Sequence, residues 1–236
     1  VIGGLGSLSS TVSLSALVGN GRGVIRAAAA GVGEVVAVVS ASDAHNRANL
    51  NTSTGESLRG LTEICGLARE KGIRVRGAVA TAFGCPYQGF ISKGEVAKVV
   101  EGMQSSGIGE ITLADTAGMG NPRQVYELTA SLTAEYSAVA WALHFHDTRG
   151  LGLANVVAGL QAGPITLESS VGGLGGCPFL PGASGNIATE DLIYLLNSMG
   201  IHTGIDPAGL IRCSKLLEEH IGRKMPAKYG LVYCGG

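Results

Sequence analysis

Aromatic residues are scarce, at 5% of the chain with a single Trp, so any core must be aliphatic. Charged residues are few as well, at 15%, and they balance: 17 basic against 18 acidic side chains leave a net charge of -1. Without a basic excess there is no electrostatic footprint for nucleic acid or for an anionic membrane. Five cysteines, an odd number spread over 236 residues, exclude a disulfide framework and favour a reducing compartment. No apolar run reaches the roughly 18 residues of a membrane span. Residues 1–17 are apolar and Ser-rich but lack the basic start of a secretory signal, so secretion is not expected. The chain starts on Val rather than Met, as a fragment would. What is abundant is glycine, 38 residues without a collagen period. Apolar residues, at 45%, are enough to bury a core.

Short β-branched runs alternate with helical segments. Strands are expected at 12–18, 34–40, 73–80, 110–115, 139–146 and 165–171. Helices are expected at 23–30, 53–71, 92–106, from Asn121 onward, and at 151–162, 188–199 and 207–221. Ser53 with Glu56, and Ser92 with Glu95, have capping-box spacing. Asn121 precedes a Pro suited to the first helical position, and Asp206 caps the last helix. Strands alternating with helices imply βαβ units and a parallel sheet covered on both faces. A doubly wound sheet and a (β/α) barrel both fit that pattern. The Gly-Asn-Gly-Arg-Gly stretch at 19–23 is not a dinucleotide fingerprint, and no Walker A sequence is present. Polar residues collect where strands end: Ser40 and Ser42, Thr81, Asp115 and Thr116, His144, His146 and Asp147, Ser169 and Ser170. In a barrel those ends converge on one mouth. The expected fold is therefore α/β, a TIM (β/α)8-type barrel forming one domain over 1–236. About six units are visible against the usual eight, so the barrel is expected to be incomplete at its N-terminus, with 1–16 atypical.

His144-Phe145-His146 is the strongest local feature. Residues i and i+2 of a strand share a face, so both imidazoles can grip one metal ion from the barrel interior. Two hydrogen-bonded core histidines are the alternative. The run from Gly172 to Asn186 has six glycines in fifteen residues and one thiol, Cys177. It can close over a site and deliver Cys177 to donate or accept a proton, or it can be a linker with an incidental Cys. Asn186 offers a carbonyl oxygen as a further ligand. Asp115 ends a strand; it orients a metal-bound water or a ligand His, or it folds into an Asx-type turn. Arg76, midway along an inward-facing strand, needs an anionic partner, for which a substrate carboxylate is a candidate. Cys85 reads as a packed thiol, and Cys65, Cys213 and Cys234 as structural or free ones.

The segments FGCPYQG (83–89), DTAG (115–118), HFHDTRG (144–150), SSVGGLGGCPFLPGASGN (169–186) and ATEDLIYLL (188–196) together resemble hydroxymethylglutaryl-CoA lyase, of the metal-dependent barrel lyase superfamily. The likeness runs from about Leu17 to Lys228. It implies a (β/α)8 barrel that cleaves 3-hydroxy-3-methylglutaryl-CoA to acetyl-CoA and acetoacetate with Mg2+ or Mn2+, in leucine degradation and ketone body metabolism. It implies metal ligation by His144, His146 and Asn186, a catalytic Cys177, and a substrate site with Arg76 and Asp115. Acyl-CoA is the implied partner, a homodimer is left open, and the implied location is bacterial cytoplasm or mitochondrial matrix. The family's opening strand, Arg-Asp-Gly-x-Gln with a ligand Asp, and the Glu of its second strand have no counterpart here. Two other readings stay open on the sequence: a related lyase or aldolase for another 3-hydroxy acyl-CoA, and an inactive remnant that binds CoA or a barrel partner.

Overall fold

The computed structural model describes residues 2–5, 12–163, 165–176 and 185–232. Among them, six strands form one parallel sheet: β1 (Ser15–Val18), β2 (Glu34–Ser40), β3 (Arg74–Ala80), β4 (Glu110–Asp115), β5 (Ala140–Phe145) and β6 (Thr166–Glu168). Each strand pairs with the next in chain order, and every pairing is parallel. Consecutive order excludes a doubly wound sheet, whose order reverses at a switch point. The architecture is an α/β half-barrel of the TIM type, as expected.

Helices connect the strands: α1 (Gly21–Ala29), α2 (Asp43–Leu50), α3 (Thr54–Glu70), α4 (Lys93–Ser105), α5 (Pro122–Glu135) and α6 (Gly152–Ala162). After β6 come α7 (Thr189–Ser198), α8 (Pro207–Ile221) and α9 (Tyr229–Val232). The capping boxes form at Ser53/Glu56 and Ser92/Glu95. Asn121 caps α5 with Pro122 at its start, and the Asp206 carboxylate accepts from the first amides of α8. Two expectations need correction. The sixth strand ends at Glu168, because Ser170 already bridges to Ala188 and a 3-10 turn follows at Val171–Gly173. Helix α2 was not expected; its eight residues are mostly polar and show no apolar stripe. It starts on Ser42, whose hydroxyl accepts from His45 N–H, and stops at Asn51, which takes a left-handed φ of 56°.

Alternation along the strands sorts the side chains. Val35, Ala37 and Val39, Ile111 and Leu113, and Leu143 and Phe145 point outward and are fully buried beneath the helices. Each such large side chain contributes about 1.5–3 kcal/mol by leaving water. The opposite parity, Val36, Val38, Arg76, Ala78, Thr112, Ala114 and His144, faces a cavity inside the curve of the sheet. No helix among the described residues is long and apolar enough to cross a membrane.

Candidate active site

The cavity has a volume of about 480 Å3 and lies on the inner face, reaching the C-terminal ends of the strands. Its chemistry-bearing walls are His45, Arg76, His144, His146, Glu168 and Asn186, with Gly175 and Gly176 at its rim. A second cavity of similar size, 490 Å3, lies beside α8 and holds none of these residues.

His144 and His146 sit on the same face, as period-two alternation requires, with ring centroids 5.2 Å apart. His144 Nδ1 lies 3.0 Å from Glu168 Oε2 on the neighbouring strand. A carboxylate accepts, so Nδ1 carries a proton toward Glu168 and Nε2 is the ring nitrogen left for another partner. Glu168 is itself held in place: its Oε1 accepts from Thr112 Oγ1 at 2.9 Å and from Arg76 at 2.8 Å. Burial works to raise the Glu168 pKa, but the His144 hydrogen bond, the His144 and Arg76 charges and the Thr112 hydroxyl hold it below the usual carboxylate range. Among the described residues no hydrogen bond reaches the His146 ring, whose Nδ1 is buried. Burial, aided by His144, pushes the His146 pKa down to about 4, so it is neutral near pH 7.

Asn186 arrives from the far end of the glycine run and pairs with the strand end through a backbone bridge to His146. Its Nδ2 donates to Leu174 O at 2.7 Å, which fixes the amide plane. Its Oδ1 is buried without a partner among the described residues. Two imidazoles and one amide oxygen without a partner among the described residues form a donor set that fits a divalent cation. Among the described residues no trio of His, Cys, Asp or Glu could hold a metal, so the amide oxygen is essential to that fit. Cys177 lies outside the described residues; its neighbour Gly176 lines the cavity.

Two expected site residues meet partners within the protein. Arg76 does line the cavity, yet its anionic partners are supplied by the protein: Glu168 at 2.8 Å, Glu34 at 3.4 Å and Glu110 at 3.4 Å. No substrate carboxylate is needed to balance it. Asp115 has the outward parity, so its carboxylate misses the cavity. It accepts from Met119 N–H and Gly120 N–H at 2.9 and 3.0 Å, four and five residues on, so it ties down its own loop, though not as an Asx turn, which closes two residues ahead. Burial raises its pKa against those two bonds. Asp115 therefore shapes the turn at 115–120, which Arg149 clamps from the other side by donating to Ala117 O and Gly118 O.

Sequence reading missed Glu168 and His45. The signal for Glu168 was present, an acid ending the strand beside the histidine strand, but the expected strand ran past it to 171. His45 stands on the unexpected α2.

The HMGL-like family model matches residues 10–217 of this chain. Hydroxymethylglutaryl-CoA lyase YngG of Bacillus subtilis is 42% identical over 217 residues, 92% of this chain and 73% of that protein. (R)-citramalyl-CoA lyase of Chloroflexus aurantiacus is 44% identical over 222 residues, 93% of this chain and 70% of that protein. The solved structure of an HMG-CoA lyase from Acinetobacter baumannii, in complex with coenzyme A and 3-methylmalate, superposes with a TM-score of 0.89 at 43% identity, covering 94% of this chain and 72% of that one.

Proposed function

This chain belongs to the HMGL-like family, and on that premise we propose that it cleaves 3-hydroxy-3-methylglutaryl-CoA to acetyl-CoA and acetoacetate. The reaction takes the proton from the tertiary hydroxyl, breaks the bond between C2 and C3, and returns a proton to C2 of the departing acetyl-CoA. The observation that carries the reading is the His144–Glu168 pair beside His146 and the unpartnered Asn186 Oδ1, all facing one cavity.

Family members use a divalent metal, and His144, His146 and Asn186 are the residues that would hold it here, as Mg2+ or Mn2+. Such an ion supplies Lewis acidity, which lowers the pKa of a substrate hydroxyl. The protein's own part is to keep the donors ready. Glu168 holds the His144 proton on Nδ1, and Leu174 O holds the Asn186 amide with its oxygen free. Cys177 is assigned the return of the proton to C2, since it follows directly on Gly176 at the cavity rim. Acyl-CoA binding is supported by the coenzyme A complex of the Acinetobacter relative.

The test is acetoacetate release from 3-hydroxy-3-methylglutaryl-CoA with added Mn2+ or Mg2+. A second substrate is favoured by one observation, the 44% identity to (R)-citramalyl-CoA lyase. Citramalyl-CoA belongs in the same assay. Its cleavage, with no acetoacetate from the hydroxymethylglutaryl ester, replaces the first reading with the second.

A further inference from the structure

His45 stands at the end of a buried chain of hydroxyl groups. Its side chain is 98% removed from solvent, since the residue is 2% exposed, and it lines the same cavity as His144 and His146. Nδ1 lies 3.1 Å from Ser40 Oγ. Ser40 Oγ lies 2.7 Å from Thr81 Oγ1, and Thr81 Oγ1 lies 2.7 Å from Ala80 O. Oxygens that close must share a proton. Ala80 O has none, so Thr81 donates to it. Thr81 has then used its only proton, so Ser40 donates to Thr81 or to Ala80 O, which lies 3.4 Å from Ser40 Oγ, and in neither case to His45. Ser40 has then used its own, so His45 donates from Nδ1. Neutral His45 is left with a bare acceptor at Nε2, and that atom is buried without a partner among the described residues. Burial, which lowers the His45 pKa, keeps the ring neutral.

The chain maintains this relay at some expense. Thr81 takes φ +56°, a left-handed conformation that a β-branched residue rarely adopts. Its N–H is taken up by Thr116 Oγ1 at 3.0 Å, and the Ser42 hydroxyl that caps α2 is itself contacted by the buried Cys85 thiol at 3.1 Å. These contacts fix one tautomer and one ring position, yet they leave the outer nitrogen unanswered. A buried acceptor without a donor is unfavourable unless a ligand supplies the donor.

We propose that His45 Nε2 accepts a hydrogen bond from an O–H or amide N–H of the acyl-CoA in the cavity, which makes His45 a substrate-binding residue. The assignment rests on the acyl-CoA reading above. Two groups of that ligand carry the right chemistry: the tertiary hydroxyl of the acyl part and the pantetheine amides.

Steady-state cleavage of 3-hydroxy-3-methylglutaryl-CoA with Mn2+ provides the first test. His45→Phe keeps the ring shape and removes the acceptor, and is expected to raise KM about tenfold, the size of one hydrogen bond. His45→Gln places an oxygen near the Nε2 position and is expected to restore KM to within about threefold of wild type. Equal KM values for wild type and His45→Phe overturn the proposal. The second test needs no altered site. In protein carrying 15N-histidine, with the His45→Phe spectrum as assignment, Nε2 of His45 resonates as an unprotonated nitrogen in the free protein. It shifts upfield on ligand addition if it becomes an acceptor. A shift with CoA alone assigns the pantetheine amide. A shift only with the hydroxyacyl ester assigns the hydroxyl. A resonance unmoved by either refutes the assignment. A shift with CoA in a protein that cleaves no hydroxymethylglutaryl-CoA supports the His45 site and removes the substrate reading alone.

Discussion

Glu168→Gln is the substitution that bears hardest on the proposed metal site. In the wild type one oxygen of Glu168 accepts from His144 Nδ1, and the other accepts from Thr112 and Arg76. Glutamine has a single acceptor oxygen. The Arg76 charge draws that oxygen, which turns the NH2 group toward His144. Two donors then face each other, and His144 relieves the clash by moving its proton to Nε2. The nitrogen facing the cavity loses the lone pair that would bind the ion. Loss of such an outer partner weakens metal affinity about 10–100-fold, or about 1.4–2.7 kcal/mol. Titration calorimetry with Mn2+ reads this directly, and the 15N signals of His144 report which nitrogen carries the proton. Stability changes in parallel: a hydrogen bond to a charged group is worth about 1.5–3 kcal/mol, and each kcal/mol moves Tm by about 2–4 °C in a chain of this size. The Glu168 pKa is depressed in the fold, so this contribution is present above the unfolded pKa and fades as pH falls through the folded one. The variant's Tm deficit therefore shrinks in acid. A Glu168→Gln protein that binds Mn2+ as tightly as wild type, with its His144 proton still on Nδ1, would falsify the argument.

Further outcomes are expected elsewhere. Asn186→Ala removes the unpartnered Oδ1 and should weaken Mn2+ binding at least tenfold while leaving Tm within a few degrees, as one lost hydrogen bond of about 1 kcal/mol predicts; undiminished affinity would remove Asn186 from the donor set. Cys177→Ala should lower kcat by about 10²–10⁴-fold with Mn2+ affinity unchanged, and a rate near wild type would end its role as proton donor. Gly185→Ala should destabilise the base of the glycine run, because φ is +103° and an added Cβ would collide with Gly175 O; Tm and the Mn2+ titration should both suffer. The Ser53 hydroxyl, with the Ser53 and Thr52 groups beside it, holds Glu56 down to about 2. Its contribution to the α3 cap is present above the unfolded pKa and lost as pH falls through about 2, so Glu56→Gln should lower Tm at pH 7 and leave it unchanged below pH 2; a deficit that persists in acid would point to packing instead.

The parts of this molecule that could be read from residue order share one property, a short range. Capping boxes at Ser53/Glu56 and Ser92/Glu95 close within three residues. Asn121 and Pro122 start α5 by fixing adjacent dihedrals. The two histidines of β5 share a face because strand alternation is local. Helix α2 is not legible in residue order because eight mostly polar residues carry no apolar period; Ser42 caps it, Asn46 Oδ1 accepts from Ser40 N–H, and Asn46 Nδ2 donates to Thr52 O and Ser57 Oγ. His45 was hidden along with it. Asp115 sits at a strand end, where both uses of a carboxylate look alike, and only strand parity turned it into its own turn and away from the cavity.

Residue order alone therefore settled the βα alternation, the capped starts of α3, α4, α5 and α8, and the types of donor atom carried to the strand ends. Each follows from interactions spanning a few residues. The order of the strands, and with it a half-barrel in place of a doubly wound sheet, came from pairings between segments separated by whole helices. The β5–β6 pairing puts Glu168 against His144, 24 residues away, and the curve of the sheet brings it to Arg76 of β3, 92 residues away. Charges that far apart in the chain meet only when parallel register aligns them, so the proton on His144 and the partners of Arg76 are properties of the sheet.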